Sequence, residues 1–284
     1  MIDETTDLEN ICNSCKKKLN KLIGLEEVKE IVNKLINYLL FIKETKGFLN
    51  VDLLNLNMVF RGNPGTGKTT VARIIANMLY ELGFVKSNTV LEVTPNDFIA
   101  GYIGQTGIKT QEVIQRAKGG VIFIDEAYSF NNGTSDYKGY SDDAIVEILK
   151  EMESKKTVFI FAGYKEEMDD FLELNPGLKS RIGYDMEFND YSIEELSIML
   201  FYKLKISGFK LSRSAAEEIK KIIENNKKMK HFGNGRMIDN LYNQLVFEHA
   251  SNINDLNNKE EVIAIKKKSV LNIKQTKERG GIFD

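Results

Sequence analysis

Short apolar runs alternate with helical patterns along the first two thirds of the chain. Five runs of five or six residues are rich in β-branched and aromatic side chains, which favour strands: 57–61, 89–94, 121–125, 157–162 and 184–188. Other stretches have helical patterns: 25–46, 69–82, 110–118 and 142–153. Because strands that alternate with helices build mostly parallel sheets with helices on both faces, the pattern predicts an α/β fold.

The strand pattern stops near residue 190. Ser192 and Glu195 form a predicted capping box that opens a helix, and Ser212 starts a second helix that runs to about residue 228. Residues 235–252 form a third. We therefore predict three segments, which are a polar N-terminal segment (1–20), an α/β domain (21–190) and a small helical domain (191–284).

Composition places the chain among soluble globular proteins. Of its 284 residues, 42% are hydrophobic and 28% are charged. The apolar runs are too short to span a bilayer, and the acidic N-terminus lacks the features of a signal peptide. We expect a cytoplasmic protein without a membrane partner, in which Cys12 and Cys15 stay reduced.

Charge is distributed unevenly. Residues 191–284 hold 17 Lys and Arg against 12 Asp and Glu, a balance of +5, whereas residues 1–190 hold 22 against 29, a balance of −7. Two solvated surfaces would explain this difference, and so would a subunit that meets the oppositely charged part of a neighbour. No basic stripe with interleaved aromatic residues is present, so nucleic acid is not an expected partner.

The most specific motif lies between the first predicted strand and the helix after it. Its residues fit G-x-x-x-x-G-K-[ST]: Gly62, Asn63, Pro64, Gly65, Thr66, Gly67, Lys68 and Thr69. The glycines let backbone N–H groups curl around phosphate oxygens, and the helix that follows directs its positive end at the anion. Lys68 would reach the β- and γ-phosphates, Thr69 would ligate Mg²⁺, and Thr70 completes the predicted ATP contacts. The alternative is an ordinary glycine turn.

Two acids follow the continuously apolar run 121–124. Asp125 would hold the Mg²⁺ shell, and Glu126 would polarise the attacking water as general base. Their place about 55 residues after the motif predicts that they lie beside the phosphate loop. The alternative is that Glu126 only caps the next helix.

Six ordered segments of the chain resemble the AAA+ ATPases, and within them the group that contains stage V sporulation protein K and the red-type Rubisco activase CbbX. These segments are 22–29, 60–76, 102–110, 119–130, 161–182 and 232–236. The resemblance spans about residues 19–255. It implies a P-loop NTPase parallel sheet flanked by helices, a small C-terminal helical lid, and a ring of six subunits with ATP between neighbours.

The resemblance also suggests roles for residues outside the phosphate loop. Arg181 resembles an arginine finger that acts on the next subunit's nucleotide, where a guanidinium would offset charge on the γ-phosphate. Lys179 is a lesser candidate, and a surface arginine is the alternative for Arg181. Arg236 resembles the sensor-2 arginine, with a capping or solvated role as its alternative. Ile23 and Gly24 resemble the segment that packs against adenine.

Tyr102, Ile103 and Gly104 resemble an aromatic pore loop. An exposed aromatic side chain can grip a polypeptide without reading its sequence, because hydrophobic contact is non-directional. A tyrosine packed on its own loop is the alternative. Tyr164 stands where the wider superfamily commonly carries asparagine, and its role is left open.

Three further signals are discounted. Cys12 and Cys15 form a lone C-x-x-C pair, whereas a tetrahedral zinc site needs four ligands, so free thiols are expected. The two histidines, His231 and His249, are expected in packing or surface roles. The run 266–268 consists of three lysines and is expected to be solvated.

Together these features predict an ATPase that hydrolyses ATP to ADP and phosphate in an oligomeric ring and remodels a protein client through the pore loop. A lone monomer would bind ATP but turn it over poorly. The first alternative is an ATP-dependent scaffold or switch, with sporulation as one possible setting. The second is a DNA- or RNA-stimulated ATPase, against which the acidic core argues. The client is not identified by the sequence.

Overall fold

The computed structural model describes residues 2–46, 49, 55–102, 104–131, 138–229 and 232–278. The described residues up to 63 and those from 67 to 189 form one compact unit. Residues 64–66 and the described residues from 190 onward form a second. Among the described residues, no helix is both long and apolar enough to cross a membrane.

The first unit is built on a five-stranded parallel sheet. Its strands are β1 (Met58–Gly62), β2 (Val90–Val93), β3 (Val121–Ile124), β4 (Val158–Gly163) and β5 (Tyr184–Phe188). Their spatial order is β2-β3-β4-β1-β5, and every neighbouring pair is parallel. All residues of β3 and β4 are buried, as expected for continuously apolar strands covered on both faces. The predicted α/β fold is confirmed.

Helices cover both faces of this sheet. They are α1 (Ile2–Asn20), α2 (Glu26–Thr45), α3 (Lys68–Glu81), α4 (Pro95–Phe98), α5 (Thr106–Arg116), α6 (Lys138–Ser154), α7 (Lys165–Leu174) and α8 (Pro176–Lys179), with a 3₁₀ helix at Ala127–Asn131. Because successive strand residues point to opposite faces, Phe60 joins the apolar cluster under α1 to α3, whereas Val59 joins the cluster under α4 to α7.

Helix α1 occupies the segment for which the sequence indicated only polarity. Its buried residues are Cys12, Cys15 and Leu19, which share one helical face and pack in the cluster of α2 and α3. Both thiols are free. Burial raises the pKa of Cys15 to about 11, so this side chain stays an uncharged thiol at neutral pH.

The second unit is mainly helical. Its helices are α9 (Ile193–Ile206), α10 (Arg213–Lys227), α11 (Gly235–Ala250), α12 (Lys259–Ile263) and α13 (Lys267–Glu278), and two short parallel strands join them, β6 (Lys210–Leu211) and β7 (Ala264–Ile265). The capping box forms as predicted: the Glu195 backbone N–H donates to Ser192 Oγ at 3.1 Å, and the Ser192 N–H donates to Glu195 Oε2 at 2.7 Å.

The lysine run and His249 both lie in the second unit. The lysine run is exposed, but Lys267 is not merely solvated, since its Nζ lies 3.2 Å from the buried carboxylate of Glu218. His249 is buried, with Nε2 2.8 Å from the Val262 carbonyl oxygen, in agreement with a packing role. His231 lies outside the described residues.

Candidate functional site

The glycine-rich loop connects β1 directly to α3. Its glycines at 62, 65 and 67 have φ values of +149°, +74° and +96°. At Gly62 a Cβ would lie 2.3 Å from the backbone oxygen of Phe188 in β5. Only a residue without a side chain lets the main chain pass β5 this closely and then turn into the loop.

Lys68 closes over the start of this loop. Its Nζ donates to the carbonyl oxygens of Gly62 at 2.6 Å and Asn63 at 2.9 Å. Lys68 is also the first residue of α3, so the ammonium and the positive end of a 14-residue helix lie at the same loop. Thr69 is half-buried and Thr70 is exposed. This arrangement suits an anion with several phosphate groups.

Residues 64–66, the middle of the loop, belong to the second unit, and hydrogen-bond donors of the same unit bind their carbonyl oxygens. The Gly235 N–H donates to the Gly65 oxygen at 2.9 Å, and the Tyr191 hydroxyl donates to the Thr66 oxygen at 2.9 Å. The Asn234 Nδ2 lies 3.4 Å from the Pro64 oxygen. Carbonyl oxygens that are occupied by donors do not face a phosphate, which they would repel.

Tyr191 and Asn234 were not among the predicted site residues. Burial, and then the nearby Glu195, raises the pKa of Tyr191 to about 12, so its hydroxyl keeps the proton that it donates. Asn234 has a φ of +48°, which asparagine tolerates better than most residues. The only sequence signal for Asn234 is its place in the segment 232–236, and Tyr191 carries no signal beyond its place before the capping box.

Asp125 and Glu126 leave the end of β3. The Asp125 N–H donates to the Val93 oxygen at 2.8 Å, which continues the ladder to β2. The Glu126 N–H donates to Asp125 Oδ1 at 3.0 Å, and Glu126 has a left-handed φ of +52°. Residues other than glycine take this conformation at a cost of about 1–3 kcal/mol, and such strain is concentrated at functional sites. The turn leaves the Glu126 side chain exposed.

The two acids and the phosphate loop leave the same end of the sheet, and their predicted closeness stays a prediction. Strand β4 lies between β1 and β3, and its Phe161 is in register with Val59 on one side and Ile124 on the other. Two spacings of about 4.8 Å put the strands that carry the loop and the acids about 10 Å apart at the same sheet edge. Strand β4 ends between these two strands, and the space beyond its last residue can hold phosphate groups and a cation.

Tyr164 follows β4 in this gap and precedes α7. It is partly exposed, and its ring centroid lies 5.9 Å from that of Tyr128 in the 3₁₀ helix after Glu126. A Cβ at Gly163 would lie 2.7 Å from Tyr128 Cδ1, so the glycine makes room for this ring. Burial, followed by the charge of Glu126, raises the pKa of Tyr128 to about 12. Tyr128 was not predicted.

Arg61 anchors the end of β1, and the sequence did not point to it either. Its side chain is only 12% exposed. Nε donates to Asp185 Oδ1 at 2.8 Å, Nη2 donates to Asp185 Oδ2 at 2.8 Å, and Nη1 pairs with Asp169 of α7. A bidentate pair of this kind fixes geometry as well as charge, and the bonds to Asp185 raise the Arg61 pKa. The last residue before the loop is therefore fixed to β5 and α7.

Arg181 lies at the opposite end of the sheet, near the N-terminal ends of strands β1 and β5. It follows α8 and precedes β5, whose first residue pairs with Met58 at the start of β1. Its Nη1 donates to the Gly177 oxygen at 2.9 Å, and its Nη2 pairs with Glu153 of α6. The run from residue 57 to Gly62 separates Arg181 from its own phosphate loop by about 17 Å of extended chain.

The remaining predicted residues lie on surfaces or turns. Tyr102 is 73% exposed, and a Cβ at Gly104, where φ is +78°, would meet nothing within 4 Å. Ile103 lies outside the described residues. Arg236 is exposed at the second position of α11, and Lys179 is exposed in α8.

Ile23 and Gly24 form the half-buried turn before α2. Gly24 and the next residue, Leu25, both have left-handed φ values, +64° and +63°. The adenine contact of this turn stays a prediction.

Two family models match the chain. The ATPase family associated with various cellular activities (AAA) matches residues 58–189, and the AAA lid domain matches residues 192–279. Stage V sporulation protein K of Bacillus subtilis is 36% identical over 238 residues, which are 81% of this chain and 73% of that protein. A chloroplastic ribulose bisphosphate carboxylase/oxygenase activase of Cyanidioschyzon merolae is 38% identical over 237 residues, 82% of this chain and 80% of that protein.

A solved structure supports the fold alone. The Holliday junction branch migration motor RuvB of Thermotoga maritima matches with a TM-score of 0.59 at 19% identity, over 89% of this chain and 70% of that one. The family models, the curated relatives and the sheet with its glycine loop agree. The chain therefore belongs to the AAA+ ATPases, in the group that contains stage V sporulation protein K and the red-type Rubisco activase CbbX, and its activity is that of an ATP-binding ATPase.

Proposed function

We propose that the chain is one subunit of a ring of six, in which each ATP is bound by one subunit and its hydrolysis is completed by the next. The observation that carries this proposal is the placement of Arg181. An arginine side chain reaches about 7 Å, far less than the roughly 17 Å of strand that separates Arg181 from the loop of its own chain. Arg181 is therefore suited to a neighbour's nucleotide rather than its own.

The phosphates would be bound by the loop from Gly62 to Thr69, with Thr70, Ile23 and Gly24 as further contacts. Lys68 would exchange two loop carbonyls for phosphate oxygens, because a charged oxygen is the stronger acceptor. Arg236 would contact the γ-phosphate from the start of α11.

The donor set fits Mg²⁺. Thr69 and Asp125 offer a hydroxyl and a carboxylate, and this small cation prefers such oxygen ligands while keeping several waters. The ion would neutralise phosphate charge when bound. Glu126 would accept a proton from the attacking water, and its exposed position on a left-handed turn leaves that carboxylate accessible. Arg181 of the neighbouring subunit would offset the charge on the γ-phosphate.

A protein client is the second part of the proposal. The exposed Tyr102, next to a glycine with open space around it, suits a non-directional grip on a polypeptide. The relatives carry names from different processes, sporulation and Rubisco activation, so the chemistry of a protein client is proposed but no individual client is. A cytoplasmic location is part of the same proposal.

The shared site is tested by dilution. ATPase activity per subunit is measured across a concentration series while mass photometry reports the oligomer, and nucleotide binding is followed with a fluorescent ATP analogue. We expect monomers to bind the analogue and to lose turnover. Full activity in samples that contain only monomer would refute the shared site while leaving the phosphate loop intact.

Substitution gives an independent test. Arg181→Ala should assemble and bind ATP but lose roughly 10³-fold or more in kcat, as for other arginine fingers. Lys179→Ala tests the lesser candidate, an exposed cation two residues away, and we expect this variant to keep its kcat. Equal losses in the two variants would contradict the assignment of Arg181.

A further inference from the structure

Asn57 is a buried polar residue that immediately precedes β1, at the end of the sheet opposite the phosphate loop. It is only 3% exposed. Its side chain and its backbone carbonyl both contact the segment that carries Arg181. We propose that Asn57 is a positioning residue, which holds the Arg181 segment in place so that the guanidinium is presented to the neighbouring subunit. This inference rests on the trans role proposed for Arg181.

The side-chain amide of Asn57 joins two parts of the unit. Its Nδ2 donates to the Arg181 backbone oxygen at 3.2 Å and to Asn55 Oδ1 at 2.6 Å. Its Oδ1 accepts from the buried N–H of Phe159 in β4 at 2.8 Å. The same amide group is therefore fixed to a central strand on one side and to the main chain of Arg181 on the other.

The main chain of Asn57 adds a second connection. Its carbonyl oxygen accepts from the Gly183 N–H at 2.9 Å and from the Tyr184 N–H at 3.4 Å. Gly183 also packs tightly on the same segment, because a Cβ there would lie 1.8 Å from the Asn55 oxygen. Several contacts thus hold residues 181–183 against residues 55–57. Most of them are made by the main chain and would survive a substitution of Asn57, whereas the contact of its side-chain amide would be lost.

Removal of the amide would leave room for the Arg181 segment to move. A small, partly open cleft already lies beside Asn55, Asn57 and Thr157. Truncation of Asn57 enlarges this space and frees the Arg181 oxygen. Because a displacement of about 1 Å can reduce a rate roughly 100-fold, a small shift of the backbone is enough to weaken the finger.

A purely structural role for Asn57 makes a different prediction. Asn57 immediately precedes β1, and β1 ends at the phosphate loop of the same subunit. If the residue only stabilised β1, its loss would damage the ATP site of its own subunit. If it positions Arg181, its loss would damage the site of the neighbour. The two roles can be separated by asking which subunit of a pair must carry an intact Asn57.

The experiment mixes two inactive variants. Glu126→Gln subunits supply a finger but cannot hydrolyse ATP, whereas Arg181→Ala subunits hydrolyse ATP only with a neighbour's finger. In a head-to-tail ring, equal random mixing completes about a quarter of the sites, so ATPase activity should return in the mixture. Absence of this recovery would contradict the proposed shared site itself, and Lys68→Ala subunits serve as a second finger donor to confirm that result.

Asn57→Ala is then introduced into one partner at a time. In the finger donor we expect the recovered activity to fall roughly 10- to 100-fold. In the Arg181→Ala partner we expect it to stay within about twofold of the reference mixture. Asn57→Asp, which keeps an acceptor for the Phe159 N–H but lacks the donor to Arg181, should reproduce the asymmetry, and Asn55→Ala should leave both mixtures active.

Each result decides between the two roles. Loss of activity only in the finger donor supports positioning. Equal loss in both partners, or greater loss in the Arg181→Ala partner, would overturn the proposal and assign Asn57 to the stability of its own subunit. Recovery without any effect of Asn57 would overturn it as well, and in both cases the shared site would still stand.

Discussion

Replacement of Gly62 by alanine should destabilise the first unit severely and abolish ATP binding. The φ of +149° lies in a region open essentially to glycine alone, which costs about 1–3 kcal/mol for another residue. The new Cβ would lie 2.3 Å from the Phe188 oxygen, and overpacking of this kind costs about 1–3 kcal/mol more. The sum, about 2–6 kcal/mol, is a large part of the free energy of unfolding of a typical domain, which is about 5–15 kcal/mol.

Gly83→Ala is the matched control for Gly62→Ala in the same unit. Its φ of +69° is also left-handed, but the nearest atom to a new Cβ is the flexible end of Lys43 at 3.2 Å. Only backbone strain of about 1–2 kcal/mol is expected there. Urea unfolding gives the two free energies, and the thermal shift at saturating ATP reports binding, since a ligand at 100 times its Kd stabilises by about 2.7 kcal/mol. A Gly62→Ala variant no less stable than Gly83→Ala would refute the steric reasoning.

Three further predictions follow from the site and the core. Glu126→Gln should keep ATP affinity within about threefold but lower the rate of hydrolysis by roughly 10²–10⁴ in single-turnover assays. A wild-type rate in this variant would show that Glu126 is not the general base. Tyr102→Ala should keep basal ATPase activity but lose remodelling of a client captured by the Glu126→Gln trap, whereas the exposed control Tyr80→Ala keeps both and a scaffold would tolerate either change. Burial raises the pKa of Cys15 from 9.0 to about 11, so the buried neutral thiol contributes fully to the free energy of unfolding below pH 9. This contribution should be lost as the pH rises towards 11. The loss amounts to at most about 3 kcal/mol, seen as a urea-midpoint difference from Cys15→Ala, and an equal pH dependence in the two proteins would contradict it.

The phosphate loop and the strands could be predicted because their signals are local. Eight consecutive residues define the loop, and continuous apolar runs define β3 and β4, so their bounds in the structure differ from the prediction by a residue or less. Helix α1 was missed because its helical period is not evident in the sequence. Its fully buried residues, among those whose side chains the structure describes, are Cys12, Cys15 and Leu19, and charged and polar residues separate them in the sequence.

The contacts that complete the site could not be predicted, because each joins residues far apart in the chain. Asn57 and Arg181 are separated by 124 positions, and so are Arg61 and Asp185. Their residue types give no warning, since an asparagine before a strand or an arginine at its end is usually solvated. The insertion of β4 between β1 and β3 is likewise a property of topology, which no local pattern in the sequence indicates.

The pair between Arg181 and Glu153 has a consequence for assembly. In the isolated chain the guanidinium already has an anionic partner, so it does not wait in solution as a free charge. In the proposed ring, contact of this guanidinium with a neighbour's nucleotide would replace one anion by another, so the association would resemble counter-ion exchange more than the capture of a bare cation. Because Glu153 is largely exposed, water solvates the released carboxylate at little cost. Only a partner with a higher density of negative charge than a carboxylate would complete the exchange, so the proposed assembly would depend on a bound triphosphate.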